Sequence, residues 1–176
     1  MRAYKLTQSA PYLQRAIDIW NYVITAWDDK CGGGLWWSAD YFPEKNAITN
    51  ELFLVFSSLL YEMDHNETYL VWAKKEWAWF ESVGLINSDS LVNEGIDKDC
   101  KNNGGTTWTI NQGVILGGLA HLYAIDNNAT LIGIAQGIAK ATMSTLVYSS
   151  GVLREPCEPS DCQDDGPQFK GVFMRY

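Results

Sequence analysis

Apolar residues recur at spacings of three and four along four long stretches of this chain, residues 47–63, 69–82, 109–125 and 131–146. Such spacing places apolar side chains on one face of an α-helix. The alternation of apolar and polar residues that is typical of β-strands is nearly absent. The pattern therefore predicts an all-α protein.

A short polar connection of constant length recurs three times between these helical stretches. It joins Tyr4 to Tyr12, Tyr61 to Tyr69, and Tyr123 to Leu131, each pair being eight residues apart. Repeats of about 60 residues indicate stacked helical hairpins, which bury their apolar faces only against neighbouring hairpins. The chain is therefore predicted to be a partial α/α toroid of about three hairpins in one domain, residues 1–176, which is fewer hairpins than a closed ring needs. Both edges of such a partial ring would expose apolar surface, so we expect self-association through them.

The hairpins are connected by three long loops rich in Gly, Asn and Cys, residues 27–44, 84–108 and 148–168. The repeat places these loops on one face, and loops of this length in a compact domain are usually functional. Each loop also brings polar residues to the first turn of the following helix. These residues are Asn46, Thr49, Asn50 and Glu51, then Thr109, Asn111 and Gln112, and finally Gln168 and Lys170.

The run from Cys100 to Gly113 has the composition of a wall of a sugar site. Gly104 and Gly105 permit close approach of the backbone to a ligand, and Trp108 offers a flat apolar face. The alternative is a capped helix start with a buried tryptophan. Trp36 and Trp37 leave the same choice open, between stacking on sugar rings and packing under the loops.

Composition narrows the classes of partner. The net charge is −8 and the pI is about 4.6, without a basic cluster, which argues against nucleic acid and anionic membranes. No segment has the 18 or so apolar residues of a membrane span. His65 and His121 lie away from the cysteines, so the sequence predicts neither a metal nor another cofactor. Eight tryptophans fit a neutral sugar partner.

The cysteines and two glycosylation sequons indicate an extracellular history. Asn66 and Asn128 each begin an Asn-x-Thr sequence on a polar connection. No apolar secretion signal follows Met1, so we expect either a cytosolic protein or part of a longer chain. All four cysteines fall in segments that resemble loops, and we expect disulfides among them: Cys31, Cys100, Cys157 and Cys162.

Five ordered motifs resemble the fungal branch of glycoside hydrolase family 76, the endo-α-1,6-mannanases. They are Cys31-Gly-Gly-Gly-Leu-Trp-Trp, Lys45-Asn-Ala-Ile-Thr-Asn-Glu-Leu-Phe, the run 100–113, Glu155-Pro-Cys-Glu-Pro and Asp165-Gly-Pro-Gln-Phe-Lys-Gly. The resemblance implies an (α/α)6 toroid that cleaves α-1,6-mannan with retention, in the cell wall or outside the cell. It also implies two adjacent catalytic aspartates at the start of an inner helix.

That catalytic pair is expected just upstream of Met1, outside this chain. Asp28 and Asp29 are an adjacent pair, but they follow an outer helix and are rejected as substitutes. We therefore expect either an inactive fragment of a mannanase, a mannan-binding pseudoenzyme or a scaffold. The residues expected to contact mannan, by matching the family motifs or bordering the cleft, are Trp36, Trp37, Asn46, Asn50, Glu51, Trp108, Thr109, Asn111, Gln112, Asp165 and Lys170.

Two disulfide pairings fit the loops. A bond between Cys157 and Cys162 would close a small loop, and a bond between Cys31 and Cys100 would join two long loops. The second bond would fix the shape of the rim, by which we mean the three long loops and the first turns of the helices that follow them. Asp161, Asp164 and Asp165 lack the regular ligand spacing of a calcium loop, so a solvated turn is favoured there over a metal site.

Overall fold

The computed structural model describes residues 1–38, 44–162 and 164–176, and within them the regular structure is helical, as predicted. Short 3₁₀ turns and isolated β-bridges occur in the connections. The α-helices are α1 (Arg2–Thr7), α2 (Ala10–Val23), α3 (Ala47–Asp64), α4 (Glu67–Ser82), α5 (Thr109–Asp126), α6 (Ala129–Thr145) and α7 (Phe169–Phe173).

Two-residue turns join the helices into three hairpins, which confirms the repeat. The first turn residue is Gln8, His65 or Asn127, each left-handed with φ between 52° and 56°. The second is the N-cap of the next helix. At Asn66 and Asn128 the side-chain oxygen accepts a hydrogen bond from the backbone N–H two residues later, which satisfies a free helical donor.

The helices form two layers around a buried apolar core. Helix α3 packs against α4 and α5, and α5 packs against α6 and α7, so that α3, α5 and α7 form one layer and α4 and α6 the other. Leu54, Phe80 and Ile115 are completely buried between the layers. This arrangement places the N-terminal ends of α3, α5 and α7 at the same end of the molecule, with the long loops.

A largely apolar groove of about 710 Å³ is lined by residues of α1, α2 and α3 and by the C-terminal Arg175 and Tyr176; its apolar side chains include Tyr12, Ile19, Leu52 and Phe56. Exposed apolar surface, as expected for an incomplete ring, is therefore present. Self-association through it stays a prediction.

Two glycines allow α7 to approach α5 closely. A Cβ atom at Gly113 would lie 2.5 Å from the Cα of Phe173, and one at Gly117 would overlap the ring of Tyr176. Since the first clash is with backbone, a side-chain rotation cannot relieve it. The glycines therefore set the distance between α5 and α7, the last two helices of the layer formed by α3, α5 and α7.

Replacing Gly113 by alanine should displace α7 and destabilise the chain by about 1–3 kcal/mol, because a packed interface has no room for an added methyl group. The matched control is Gly133→Ala on α6, where nothing lies within 4 Å of the added atom. That change should stabilise by about 0.5–1 kcal/mol through helix propensity. Urea unfolding of both variants checks the difference, and equal effects would contradict the packing.

Two carboxyl groups lie buried between α3 and α4. Glu51 and Glu76 are fully buried, and their oxygens have no hydrogen-bond partner among the residues described. Burial raises the pKa of both well above the usual range. The neighbouring Glu76 raises the pKa of Glu51 further, whereas Lys45 acts in the opposite direction on Glu76. Both side chains are therefore protonated in the folded protein at pH values where they ionise in the unfolded chain.

This pair should make stability fall as pH rises. A carboxyl whose pKa is raised on folding contributes its full stabilisation at pH values below the unfolded-state pKa, which is near 4.5. That stabilisation is lost as pH rises toward the folded-state pKa. The free energy of unfolding falls by about 1.4 kcal/mol for each unit by which the two pKa values differ. The variants Glu51→Gln and Glu76→Gln remove the titration and should flatten the curve. Thermal unfolding of all three proteins between pH 4.5 and 8 measures this. Parallel curves would contradict it.

Candidate functional site

A side-chain amide in the first turns of α3 holds the preceding loop. The Asn50 Oδ1 atom accepts a hydrogen bond from the backbone N–H of Leu35 at 2.7 Å. Its Nδ2 atom donates to the carbonyl of Leu35 at 3.1 Å and to the carbonyl of Asn46 at 2.7 Å. Both Asn50 and Leu35 are buried, so these bonds form away from water and fix the loop against the helix.

Helix α5 repeats the same arrangement with a glutamine. The Gln112 side chain accepts from the N–H of Val92 and donates to its carbonyl, both at 2.8 Å, and it also donates to the carbonyl of Trp108 at 3.0 Å. In each helix the amide lies four residues after the N-cap. We call these two sets of bonds the amide clamps. They place equivalent loop residues at equivalent positions in the repeat.

The second and third long loops also reach back, to the starts of α3 and α5 respectively. The carbonyl of Glu94 accepts from the first amide of α3, at Ala47, at 2.7 Å. The buried Glu155 carboxylate accepts from the backbone N–H of Thr109 at 3.1 Å and from its hydroxyl. Free N–H groups at two helix starts are thereby satisfied by the next loop. Successive segments of the rim are linked to one another.

Disulfides complete these links and have the predicted pairing. Cys31 bonds to Cys100, which joins the first two long loops, and Cys157 bonds to Cys162 within the third. All four cysteines of the sequence are therefore paired. A covalent bond therefore links the first and second loops of the rim.

Asp28 takes part in a network centred on a buried lysine. The Lys45 ammonium is fully buried and donates to Asp28 at 2.6 Å and to the carbonyls of Lys30 and Gly33. The indole N–H of Trp36 donates to the other Asp28 oxygen at 2.8 Å. The hydrogen bonds from Lys45 and Trp36 hold the pKa of Asp28 below its usual range, against partial desolvation. Asp28 is thus an ionised structural partner.

The long-loop face holds a cavity of about 440 Å³ that collects five of the predicted contact residues: Trp37, Asn46, Trp108, Asn111 and Asp165. We call it the rim cavity. Two carboxylates that the sequence analysis missed, Glu44 and Glu94, also line it. A second cavity, of about 620 Å³, shares Trp37 and includes Tyr22 and Thr49. Trp37, half exposed, lies where the two cavities meet.

Trp108 is held in a defined orientation in the rim cavity. Its indole N–H donates to Glu94 at 3.3 Å, and its ring meets Phe169 edge to face, with centroids 5.5 Å apart. A ring fixed on two sides offers a preorganised face, which lowers the entropic cost of stacking a ligand on it. Glu94 therefore both lines the cavity and orients its tryptophan.

Asn111 is the most informative polar side chain in the rim cavity. Only 2% of its surface is exposed, and no residue that the structure describes forms a hydrogen bond with its side chain. Neither amide atom is among the side-chain atoms that are both buried and unpaired, so both keep some contact with solvent in the cavity. A side chain of this kind on a cavity wall is arranged for an external hydrogen-bonding group, with one acceptor and two donors to offer.

Acidic residues give the rim cavity its charge. Burial raises the pKa of the Glu44 carboxyl, and the nearby charge of Glu94 raises it further. Asp165 adds a third carboxylate, which accepts from Gln168 at 2.9 Å, and none of the described residues that line the cavity is basic. The carboxylates supply hydrogen-bond acceptors for hydroxyl groups. Sequence periodicity could not reveal Glu44 and Glu94, because both lie in loops without a matching motif.

Several predicted contact residues lie away from the rim cavity. Their positions in the repeat are as expected, but their side chains point into the core or into other networks. Lys170 forms an ion pair with Glu158, and Trp36 lies over Lys45, 4.9 Å from its ammonium. The other predicted contact residues away from the cavity are fully buried in the interior: Asn50, Glu51, Thr109 and Gln112. Further hairpins packed onto the chain would not expose these side chains.

Within the described ranges no cluster of three or more His, Cys, Asp or Glu side chains could hold a metal ion. None of the described helices is long and apolar enough to cross a membrane. The lining of the rim cavity therefore gives the candidate site its character, which is a neutral-to-acidic surface with indole faces and amides.

The whole chain, residues 1–176, matches the family described as Glycosyl hydrolase family 76. This chain belongs to that family. It is 31% identical over 176 residues to the mannan endo-1,6-alpha-mannosidase DCW1 of Saccharomyces cerevisiae, covering 94% of this chain and 38% of the yeast protein. The resemblance inferred from the five motifs is confirmed.

Solved structures show the same fold. The Lin0763 protein of Listeria innocua superimposes with a TM-score of 0.90 at 31% identity, covering 99% of this chain and 49% of that one. A second structure is an inactive variant of the alpha-1,6-mannanase of Salegentibacter sp. HEL1_6, in which two consecutive aspartates are replaced by asparagine and alpha-1,6-mannotriose is bound. It superimposes with a TM-score of 0.86 at 32% identity, covering 99% of this chain and 52% of that one. The family 76 chain thus forms a partial α/α toroid, about half of these relatives.

The lysine network should dominate the stability of the first loop. Replacing Lys45 by methionine leaves the buried carbonyl of Gly33 and the part-buried carbonyl of Lys30 without their donor and should cost about 2–4 kcal/mol. Lys5→Met is the control, because Lys5 is half exposed in its ion pair with Glu62 and should contribute at most about 1 kcal/mol. Chemical unfolding compares them. A loss at Lys45 no larger than at Lys5 would contradict the network.

Proposed function

We propose that the rim cavity binds α-1,6-linked mannan or mannooligosaccharides, as the recognition part of a retaining endo-α-1,6-mannosidase of the cell wall or extracellular space. The observation that carries this proposal is the amide of Asn111, which is open to the cavity and has no hydrogen-bond partner among the described residues, beside the fixed indole of Trp108. The family membership and the mannotriose bound by the Salegentibacter relative support it.

The chemistry of the cavity suits a neutral polyol. A mannose ring presents hydroxyls that both donate and accept, and an apolar C–H face. Asn111 can pair with a hydroxyl in either sense, while Glu44 and Glu94 accept from hydroxyls. Trp37 and Trp108 can cover the C–H face. Because Trp37 borders both cavities, a chain of several sugars could extend from one cavity into the next.

The proposed function assigns bond cleavage to an aspartate pair outside these 176 residues. Retaining cleavage needs two carboxyls about 5 Å apart, one ionised as nucleophile and one protonated as acid. Asp28 is engaged by Lys45 and Trp36, and Asp29 does not line the rim cavity. Of the consecutive pair Asp164 and Asp165, only the second lines it. The inactive Salegentibacter variant, altered at two consecutive aspartates, supports the need for such a pair.

A second function, binding of mannan without cleavage, is favoured by the same observations. The amide clamps, disulfides and Lys45 network hold the rim without any contribution from the expected catalytic pair. In that case the chain would be a mannan-binding pseudoenzyme. The two functions differ only in whether an aspartate pair is supplied to the rim.

Binding is tested by titrating the purified chain with α-1,6-mannotriose in a calorimeter. Asn111→Ala and Trp108→Ala should each weaken binding about tenfold or more, which corresponds to the loss of a hydrogen bond or a stacked ring of about 1.4 kcal/mol. The control Val71→Ala alters an exposed side chain on α4 and should bind like the unmodified chain. Absence of binding by the unmodified chain would refute the proposal.

Cleavage is tested on the same protein with α-1,6-mannan and detection of new reducing ends. The chain alone should release none. Cleavage that is lost in Asp28→Asn would overturn the structural role of Asp28. Cleavage that persists in that variant but disappears in Glu94→Gln would transfer the chemistry to the rim cavity itself.

A further inference from the structure

Two exposed asparagines occupy the same position in successive hairpins. Asn66 and Asn128 are the N-caps of α4 and α6, and each begins an Asn-x-Thr sequence, completed by Thr68 and Thr130. The first hairpin has Ser9 at this position, with no side-chain cap. The sequon therefore recurs at two of three equivalent turns.

The atoms of each asparagine divide between two roles. The Oδ1 atoms of Asn66 and Asn128 accept from the backbone N–H groups of Thr68 and Thr130, each at 3.0 Å. In the described part of the chain no hydrogen bond involves either Nδ2 atom, and both side chains are exposed. Since a glycan is attached at Nδ2, it would leave the helix cap intact.

The disulfides indicate the compartment in which such a modification occurs. All four cysteines are paired, and disulfides form and persist mainly along the secretory route and outside the cell. In eukaryotes Asn-x-Thr sequences are glycosylated on that route. The environment that suits the disulfides is therefore the one that supplies the sugar donor.

The two turns lie at the end of the helices remote from the rim cavity. Asn46 lines the cavity at the start of α3, and Asn66 follows the end of that helix. With 18 residues, α3 is about 27 Å long. The same holds for α5, between Asn111 and Asn128. Large substituents at these turns would not obstruct the cavity.

We propose that Asn66 and Asn128 both carry N-linked glycans. The donor is an oligosaccharide linked to a lipid through pyrophosphate. A bond forms between Nδ2 and the first sugar carbon, the bond from that carbon to the pyrophosphate oxygen breaks, and the amide proton and the lipid pyrophosphate are released. The competing explanation, that these asparagines serve as helix caps alone, is an outcome of the test.

The experiment uses the 176-residue chain behind a cleavable secretion leader, translated with endoplasmic-reticulum microsomes and analysed by mass before and after peptide N-glycosidase. Two occupied sites are expected. Asn66→Asp and Asn128→Asp should each lose one glycan while retaining the cap, because aspartate also accepts from the helix N–H. Thr68→Ser should keep both glycans, and Thr68→Ala should lose the one at Asn66.

Each result bears on the proposal. A translocated chain with its leader removed and the mass of the bare polypeptide would overturn it and leave capping as the only role of these asparagines. A single glycan would overturn it for the unoccupied turn. Mannotriose binding by the double Asp variant is measured separately, so failure of glycosylation and failure of the sugar site are distinguishable.

Discussion

Two side-chain amides, Asn50 and Gln112, fix the loops on which the candidate site depends. Each forms a pair of hydrogen bonds with one buried loop residue, as a neighbouring strand would, and a third with its own helix. A loop of this length can adopt many conformations, so ordering it costs conformational entropy. The hydrogen bonds of the clamps offset that cost. The clamps transfer the regular spacing of the helices to the loops, and so place Trp37 and Trp108 at neighbouring points of the rim.

The proposed function assigns recognition to this half toroid and the chemistry to another part of the ring. The rim cavity contains indole faces, an amide without a partner among the described residues, and carboxylates, which together suit hydroxyl groups. Asp28 forms part of the scaffold that supports that cavity, because the buried Lys45 needs an anionic partner. In our account the 176 residues shape and bind a mannan chain, and an aspartate pair from another part of the toroid cleaves it.

The fold could be predicted from the sequence largely because helical spacing and the eight-residue connections are local signals. The loop positions of the cysteines indicated disulfides and were compatible with the pairs found, but the pairing itself came from the structure. The site was predicted less completely. Asn46, Asn50, Asn111 and Gln112 all carry amides near helix starts, and only the three-dimensional rotation of each helix decides which of them face the cavity. Glu44 and Glu94 belong to loops whose path depends on clamps and bridges distant in sequence, so no periodic pattern marks them.

The most direct test of this account is a crystal structure of the chain soaked with α-1,6-mannotriose. We predict a mannose ring on the face of Trp108, with the Asn111 amide within hydrogen-bond distance of a hydroxyl and the Asp28–Lys45 pair unchanged. A sugar bound elsewhere, with Asn111 still unpaired, would contradict the assignment of the rim cavity. A sugar seated against Asp28 with Lys45 displaced would contradict the separation of recognition from chemistry.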